Sequence, residues 1–193
     1  MKSIEYFFEL IQQSNVSLLG YRFKQERLKD EIISKLPHLV VPEIDSSFSF
    51  KSFLRDLKID SILETGYSVR NPEYIVLDLN DIRYKSSSVL FDKQYQIKRT
   101  VEKIREDIYS GTPSYKLLML TSLYKSGTNT DNFDITNFMS GSGPIYMSDL
   151  SLVMQENSIK VIKNRFGNDG DDILISFDKL KEYNYICNYE HNN

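Results

Sequence analysis

Asp78 is the residue whose neighbours best place it to do chemistry. It follows Tyr74-Ile75-Val76-Leu77, and an apolar run ending in a carboxylate describes a buried parallel strand with an acid at its carboxyl end. Ligands of open α/β sheets bind along that edge, and in nucleotide-hydrolysing folds an Asp there holds a magnesium ion, usually through water. Taken alone, the better reading is a strand-end Asp capping the next turn. A second cluster is Lys163 and Arg165, separated by one residue and followed by Gly167 and Gly170. By residue type it is an exposed basic turn after an edge strand. A third is the long polar segment from Lys125 to Ser142, which contains Ser140 and Gly141. Its length marks a functional or mobile loop, but Lys125 is its only cation, a weak signal for phosphate contact. His38, His191 and the single Cys187 are far apart and lack metal-ligand spacing. Asp169, Asp171 and Asp172 form an acidic turn better read as solvated than as calcium-binding. Tyr183, Tyr185 and Tyr189 could stack on bases, although packing is the better reading.

The elements that must position these residues alternate between helix and strand, which argues for α/β layers. Tyr6, Phe7, Leu10 and Ile11 recur at helical spacing within 4–13. Val16 to Leu19 is a short strand. Gln25 to Leu36 is a helix that Pro37 stops. Leu39 to Val41 is a second short strand, and 49–63 is an amphipathic helix. After the Asp78 strand comes a polar loop at 86–88. A long helix over 94–109 follows, then a buried strand over 115–121 (YKLLMLT) and the Lys125 loop. Leu150 to Met154, Ile159 to Asn164 and Ile173 to Phe177 are the last strands. There is no internal repeat. The expectation is one partial domain over 1–189 with a frayed tail at 190–193.

The totals narrow the function classes. The chain has 193 residues, enough for one domain, and at 40% hydrophobic it can bury a core. A net charge of −3 gives no general attraction to nucleic acid, so such a role would need a local basic patch. One cysteine excludes an internal disulfide framework and fits a reducing compartment. No apolar run is long enough to span a membrane, and Glu5 and Glu9 interrupt the first apolar stretch, so neither a membrane partner nor a signal peptide is expected.

The segment from Phe138 to Asp178 resembles a run found in replicative hexameric helicases of the DnaB type, including phage versions. It carries a Ser-Gly pair within Ser140–Gly143, then a short helix leading to Asp149 before an apolar strand. Next come a strand ending in Lys163-x-Arg165, a turn with Gly167 and Gly170, and a final strand over Ile173–Phe177. Upstream, the Asp78 strand, the 94–109 helix, the 115–121 strand and the long loop follow in the same order. No single motif is specific; the ordered set is. The resemblance implies a RecA-like α/β fold: a mostly parallel central sheet flanked by helices, with antiparallel strands at the C-terminus.

The same resemblance implies roles. Arg165, with Lys163, would act in trans as an arginine finger on a neighbouring subunit's nucleotide. Asp78 would hold Mg2+ with ATP, and Lys125, Ser140 and Gly141 would lie on the wall that faces single-stranded DNA. The partners would be single-stranded DNA and either a homo-oligomeric ring or a full-length helicase, in the cytoplasm of a bacterial or phage-infected cell.

The chain also departs from the family. It has no G-x-x-x-x-G-K-[ST] loop to cradle phosphate, although Met1-Lys2-Ser3 followed by a helix matches the continuation of that motif after its last glycine. Lys2 and Ser3 are therefore expected to be remnants of a phosphate site. In that alignment the strand from Val16 is the family's second, and Arg22 stands where the catalytic Glu belongs. A guanidinium cannot accept a proton from water. Ser122 replaces the longer Gln or His sensor. The expected function is thus a DNA-replication protein with weak or lost hydrolysis. A Gly143-Pro144-x-Tyr146 run, similar to that of phage RecA-like recombinases, supports a recombinase fragment as an alternative. Arg22 and Ser122 support another, a catalytically dead module that binds a partner ATPase.

Overall fold

The computed structural model describes residues 2–36, 39–40, 74–80, 116–123 and 138–183, together with 95, 97–99, 101–102 and 105–106. Helix α1 spans Ile4–Gln13 and strand β1 Val16–Tyr21; a single 3₁₀ turn, Phe23–Gln25, leads into α2, Glu26–Ser34. Then come β2 (Leu39–Val40), β3 (Tyr74–Asp78) and β4 (Lys116–Ser122). The chain closes with α3 (Gly143–Met147), β5 (Leu150–Met154), β6 (Ser158–Asn164), β7 (Asp172–Leu174) and α4 (Phe177–Glu182). The described residues between 95 and 106 are helical. The helix expected over 49–63, the loop at 86–88, Lys125, His38, Cys187, His191, Tyr185, Tyr189 and the tail at 190–193 lie outside the described residues.

The seven strands form one sheet in the order β2-β3-β4-β1-β5-β6-β7. The first five are mutually parallel, and β6 and β7 are antiparallel additions. The protein is therefore a mixed α/β structure, mostly parallel with antiparallel C-terminal strands, as the sequence predicts. β1 is longer than its apolar run suggests, because β4 and β5 pair with it on both sides through Gly20. The last element differs from expectation. Strand pairing stops at Leu174, and Ser176 turns the chain into α4 by accepting a hydrogen bond from the Lys179 amide. A serine with a free side-chain acceptor is a strong helix start, and it overrides the strand-like composition of Ile173–Phe177.

Both faces of the sheet are covered. Ile4, Phe7, Phe8 and Ile11 of α1 sit at i, i+3, i+4, i+7 spacing and are buried with Leu19, Val76, Leu118 and Leu152 beneath them. Ile32 of α2 and Leu180 of α4 join that layer. The opposite face packs Leu18, Ile75, Leu77 and Met119 against Ile97, Val101, Phe138 and Ile145. Right-handed crossovers explain the division. The chain leaves β1 towards the β2 edge over one face. It leaves β3 and β4 in the opposite direction over the other. The direction of winding thus reverses between the adjacent strands β1 and β4, at their carboxyl ends.

Candidate functional site

A reversal of this kind opens a crevice at the carboxyl ends of the two strands, the usual ligand position in an open α/β sheet. Here a network of the protein's own side chains lines it. The Tyr21 hydroxyl, at the end of β1, donates to Asp78 Oδ2 at 3.2 Å, reaching across β4 to the end of β3. Asp78 Oδ1 accepts from the Asn80 backbone at 2.9 Å and from Asn80 Nδ2 at 2.5 Å. Asn80 Oδ1 in turn accepts from the Ser122 amide at 3.0 Å, and Asn80 Nδ2 also lies 3.2 Å from the Tyr21 hydroxyl. Lys29 of α2 closes the arrangement, its ammonium 4.7 Å from the centre of the Tyr21 ring.

The electrostatics suit a neutral phenol. Burial pushes the Tyr21 hydroxyl above its ordinary pKa, and the Asp78 carboxylate adds to the shift; Lys29 opposes both. Burial alone would lower the Lys29 ammonium, but Tyr21, Asp30 and Asp78 together hold it above its usual value. Asp78 therefore stands where the sequence reading puts it and caps the next turn, as the residue taken alone leads one to expect. Both its oxygens are engaged by protein donors, so it caps the turn at Asn80 and anchors Tyr21. A magnesium ion at Asp78 would share the carboxylate with these donors. Among the described residues there is no group of three or more His, Cys, Asp or Glu side chains that could hold a metal.

The connection from β1 to α2 stands where a phosphate-binding turn would lie, and it is built differently from one. It is four residues long, Arg22 to Gln25, and contains no glycine. Two of its four amides are spent internally: Gln25 Oε1 accepts from the Arg22 amide at 2.9 Å, and the Gln25 amide donates to the Arg22 carbonyl at 2.8 Å. Gln25 Nε2 donates to the Met154 carbonyl at 3.0 Å, tying the turn to the end of β5. Phe23 at the tip is 88% exposed. The segment Phe138–Gly141 roofs the edge on the opposite face. The Met139 amide donates to the Ser122 carbonyl, and a Cβ on Gly20 would come within 2.8 Å of the Phe138 ring. Only glycine at position 20 lets that ring lie on the strand.

The other expected site residues are dispersed. Lys2 forms an isolated bridge to Ile173 at the β7 edge, and its amide donates to the Asp172 carbonyl at 3.0 Å. Six strand spacings separate it from β3, on the order of 25–30 Å at ~4.8 Å per step. Lys2 and Ser3 thus share no site with Asp78. The Lys2 ammonium lies over the Tyr6 ring at 5.0 Å, and Ser3 hydrogen-bonds the Glu5 side chain.

Lys163 and Arg165 lie at the amino edge of the parallel strands. Lys163 Nζ donates to the carbonyls of Ile145 (2.9 Å), Tyr146 (3.1 Å) and Ser148 (2.5 Å), closing the C-terminus of α3. Arg165 Nη1 pairs with Asp149 Oδ1 at 2.9 Å. Asp149 is 1% exposed, and its Oδ2 accepts from the Asn15 and Val16 amides. Ser140 is buried, and its hydroxyl has no hydrogen-bond partner among the described residues; Gly141 adopts φ 77°. The acidic turn is engaged locally: Asp171 accepts from the Tyr6 hydroxyl and Asp169 from the Asn164 amide. Tyr183 stacks on Phe8 with ring centres 4.4 Å apart.

Sequence reading did not find Tyr21, Lys29 or Asn80. The signal available was an apolar strand ending in Gly-Tyr followed at once by a helix with a lysine on its inner face.

The fold is that of an α/β protein with a mostly parallel sheet. No family model matches the chain, and no curated protein matches it. Among solved structures it is similar to PH0250 from Pyrococcus horikoshii OT3, with 14% identity over 90% of this chain and 98% of that one, at a TM-score of 0.41. Among the described residues no helix is long and apolar enough to cross a membrane.

Proposed function

We propose that this chain is a non-hydrolysing, RecA-like module of DNA replication. It is related to the motor domain of DnaB-type replicative helicases and works by assembling with its own copies or with a full-length ring helicase on single-stranded DNA, in the cytoplasm of a bacterial or phage-infected cell. The ordered set of motifs from Asp78 to Phe177 supports the family part of this reading. One observation supports the inert part: at the carboxyl edge Asp78 is hydrogen-bonded within the Tyr21–Asp78–Asn80–Ser122 network. A phosphate-binding turn offers open backbone amides on a glycine-rich loop, whereas the Arg22–Gln25 turn has no glycine and engages its first and last amides internally. An arginine finger needs a guanidinium that can reach outward. Arg165, 52% exposed and paired with Asp149, would have to exchange that partner to serve one.

The test is sedimentation of the purified chain alone, with oligo-dT, and with a full-length DnaB-type helicase, alongside an ATPase assay. The expected result is co-sedimentation with the helicase–DNA complex and no ATP turnover by the chain alone. A chain that stays monomeric in every mixture, or that turns over ATP by itself, overturns the proposal.

A further inference from the structure

A second feature of the carboxyl edge is independent of that reading. Beyond β1, the N-terminal part of α2, the β5–β6 turn and the start of α4 enclose a cleft of about 500 Å³. That volume lies in the range of small-molecule sites, roughly 300–1,000 Å³. Leu28 and Ile175 supply an apolar floor. Three cations reach it from separate elements: Lys24 from the 3₁₀ turn, Arg27 from α2 and Lys179 from α4. One carboxylate, Glu156, shares the rim.

In a chain of net charge −3 this convergence of positive charge is local, and the general field of the protein does not produce it. The Lys24–Glu156 contact is long, 3.5 Å, with both side chains largely exposed. Such pairs contribute little, so an incoming anion can replace Glu156 at small cost.

We infer that this cleft binds a small phosphomonoester with a flat apolar body, the body resting on Leu28 and Ile175 and the phosphate held by Lys24, Arg27 and Lys179. A bare anion would leave the floor unused, and an uncharged ring would leave the cations unused.

Phenyl phosphate is the probe, titrated against the full chain and followed by amide chemical shifts. Binding near 1 mM is expected, on the order of what a ligand of this size gains from one charged and one apolar contact, with the largest shifts at Gln25, Asn157 and Ser176. The double variant Arg27→Gln/Lys179→Gln should weaken it at least about tenfold, a loss of about 1.4 kcal/mol. Lys98→Gln, on the other face of the sheet, should leave it unchanged. Four outcomes overturn the inference: no shifts at those amides by about 10 mM, equal affinity for the double variant, equal affinity for inorganic phosphate, or equal affinity for phenol.

Discussion

The two edges of the parallel sheet are held in opposite ways. At the amino edge the work is done by charge. Asp149 is sealed inside, takes two backbone amides at the entry to β1, and pairs with Arg165, while Lys163 closes α3 beside it. At the carboxyl edge the ties are mostly neutral: a phenol and an amide side chain gathered around the Asp78 carboxylate, and a turn glutamine tied to the Met154 carbonyl. Lys163 and Arg165, a basic pair by sequence, are therefore tied to groups within the chain, while at the carboxyl edge Tyr21 and Asn80 hold Asp78. A charged motif in sequence reports that a charge is needed nearby. It does not report whether the partner is a ligand or the chain's own backbone.

Substitutions at the two edges separate these cases. The largest effect is expected at Asp149→Ala, which strands two amides and removes the Arg165 partner. Roughly 2–4 kcal/mol should be lost, read as a drop in the urea midpoint. A loss below about 0.5 kcal/mol would mean that the amino edge is not held by this clamp. Next is Gly20→Ala on the central strand. The added Cβ meets Phe138 and Leu123 at 2.8 and 2.9 Å, and about 1–3 kcal/mol should be lost as the roof shifts. The same denaturation curve checks it, and a neutral result would show that Phe138 does not rest on β1.

The smallest is Tyr21→Phe, at about 1 kcal/mol, and its signature lies in pH. Tyr21 and Lys29 both hold their protons more tightly in the folded chain, as Tyr6 and Tyr183 also do. The folded state therefore binds more protons once the unfolded groups begin to titrate near pH 10. Stability from this source is complete below that pH and falls as pH rises further. Tyr21→Phe should make the alkaline fall shallower without abolishing it. An unchanged slope in urea melts between about pH 9 and 11 would separate Tyr21 from the network.

Local order was legible in the residues. The buried runs at Val16, Tyr74, Lys116 and Leu150 are strands, the α1 spacing is a helix, and Asp78 ends a central strand, because apolar periodicity and strand-end polarity are properties of a few neighbouring residues. The neighbour relations were not. Reading Lys2-Ser3 as the edge of a phosphate loop made the Val16 strand the second of the sheet. Pairing makes it the strand between β4 and β5, and it sends Lys2 to the far edge beside β7. That choice is made by contacts between segments more than a hundred residues apart, such as Val16 with Leu117 and Ser17 with Leu150, which no local pattern encodes. The sequence by itself determined which stretches are strands and that an acid closes one of them. Only the tertiary structure decided that this acid meets Tyr21, because the two share an edge solely through the strand that lies between them.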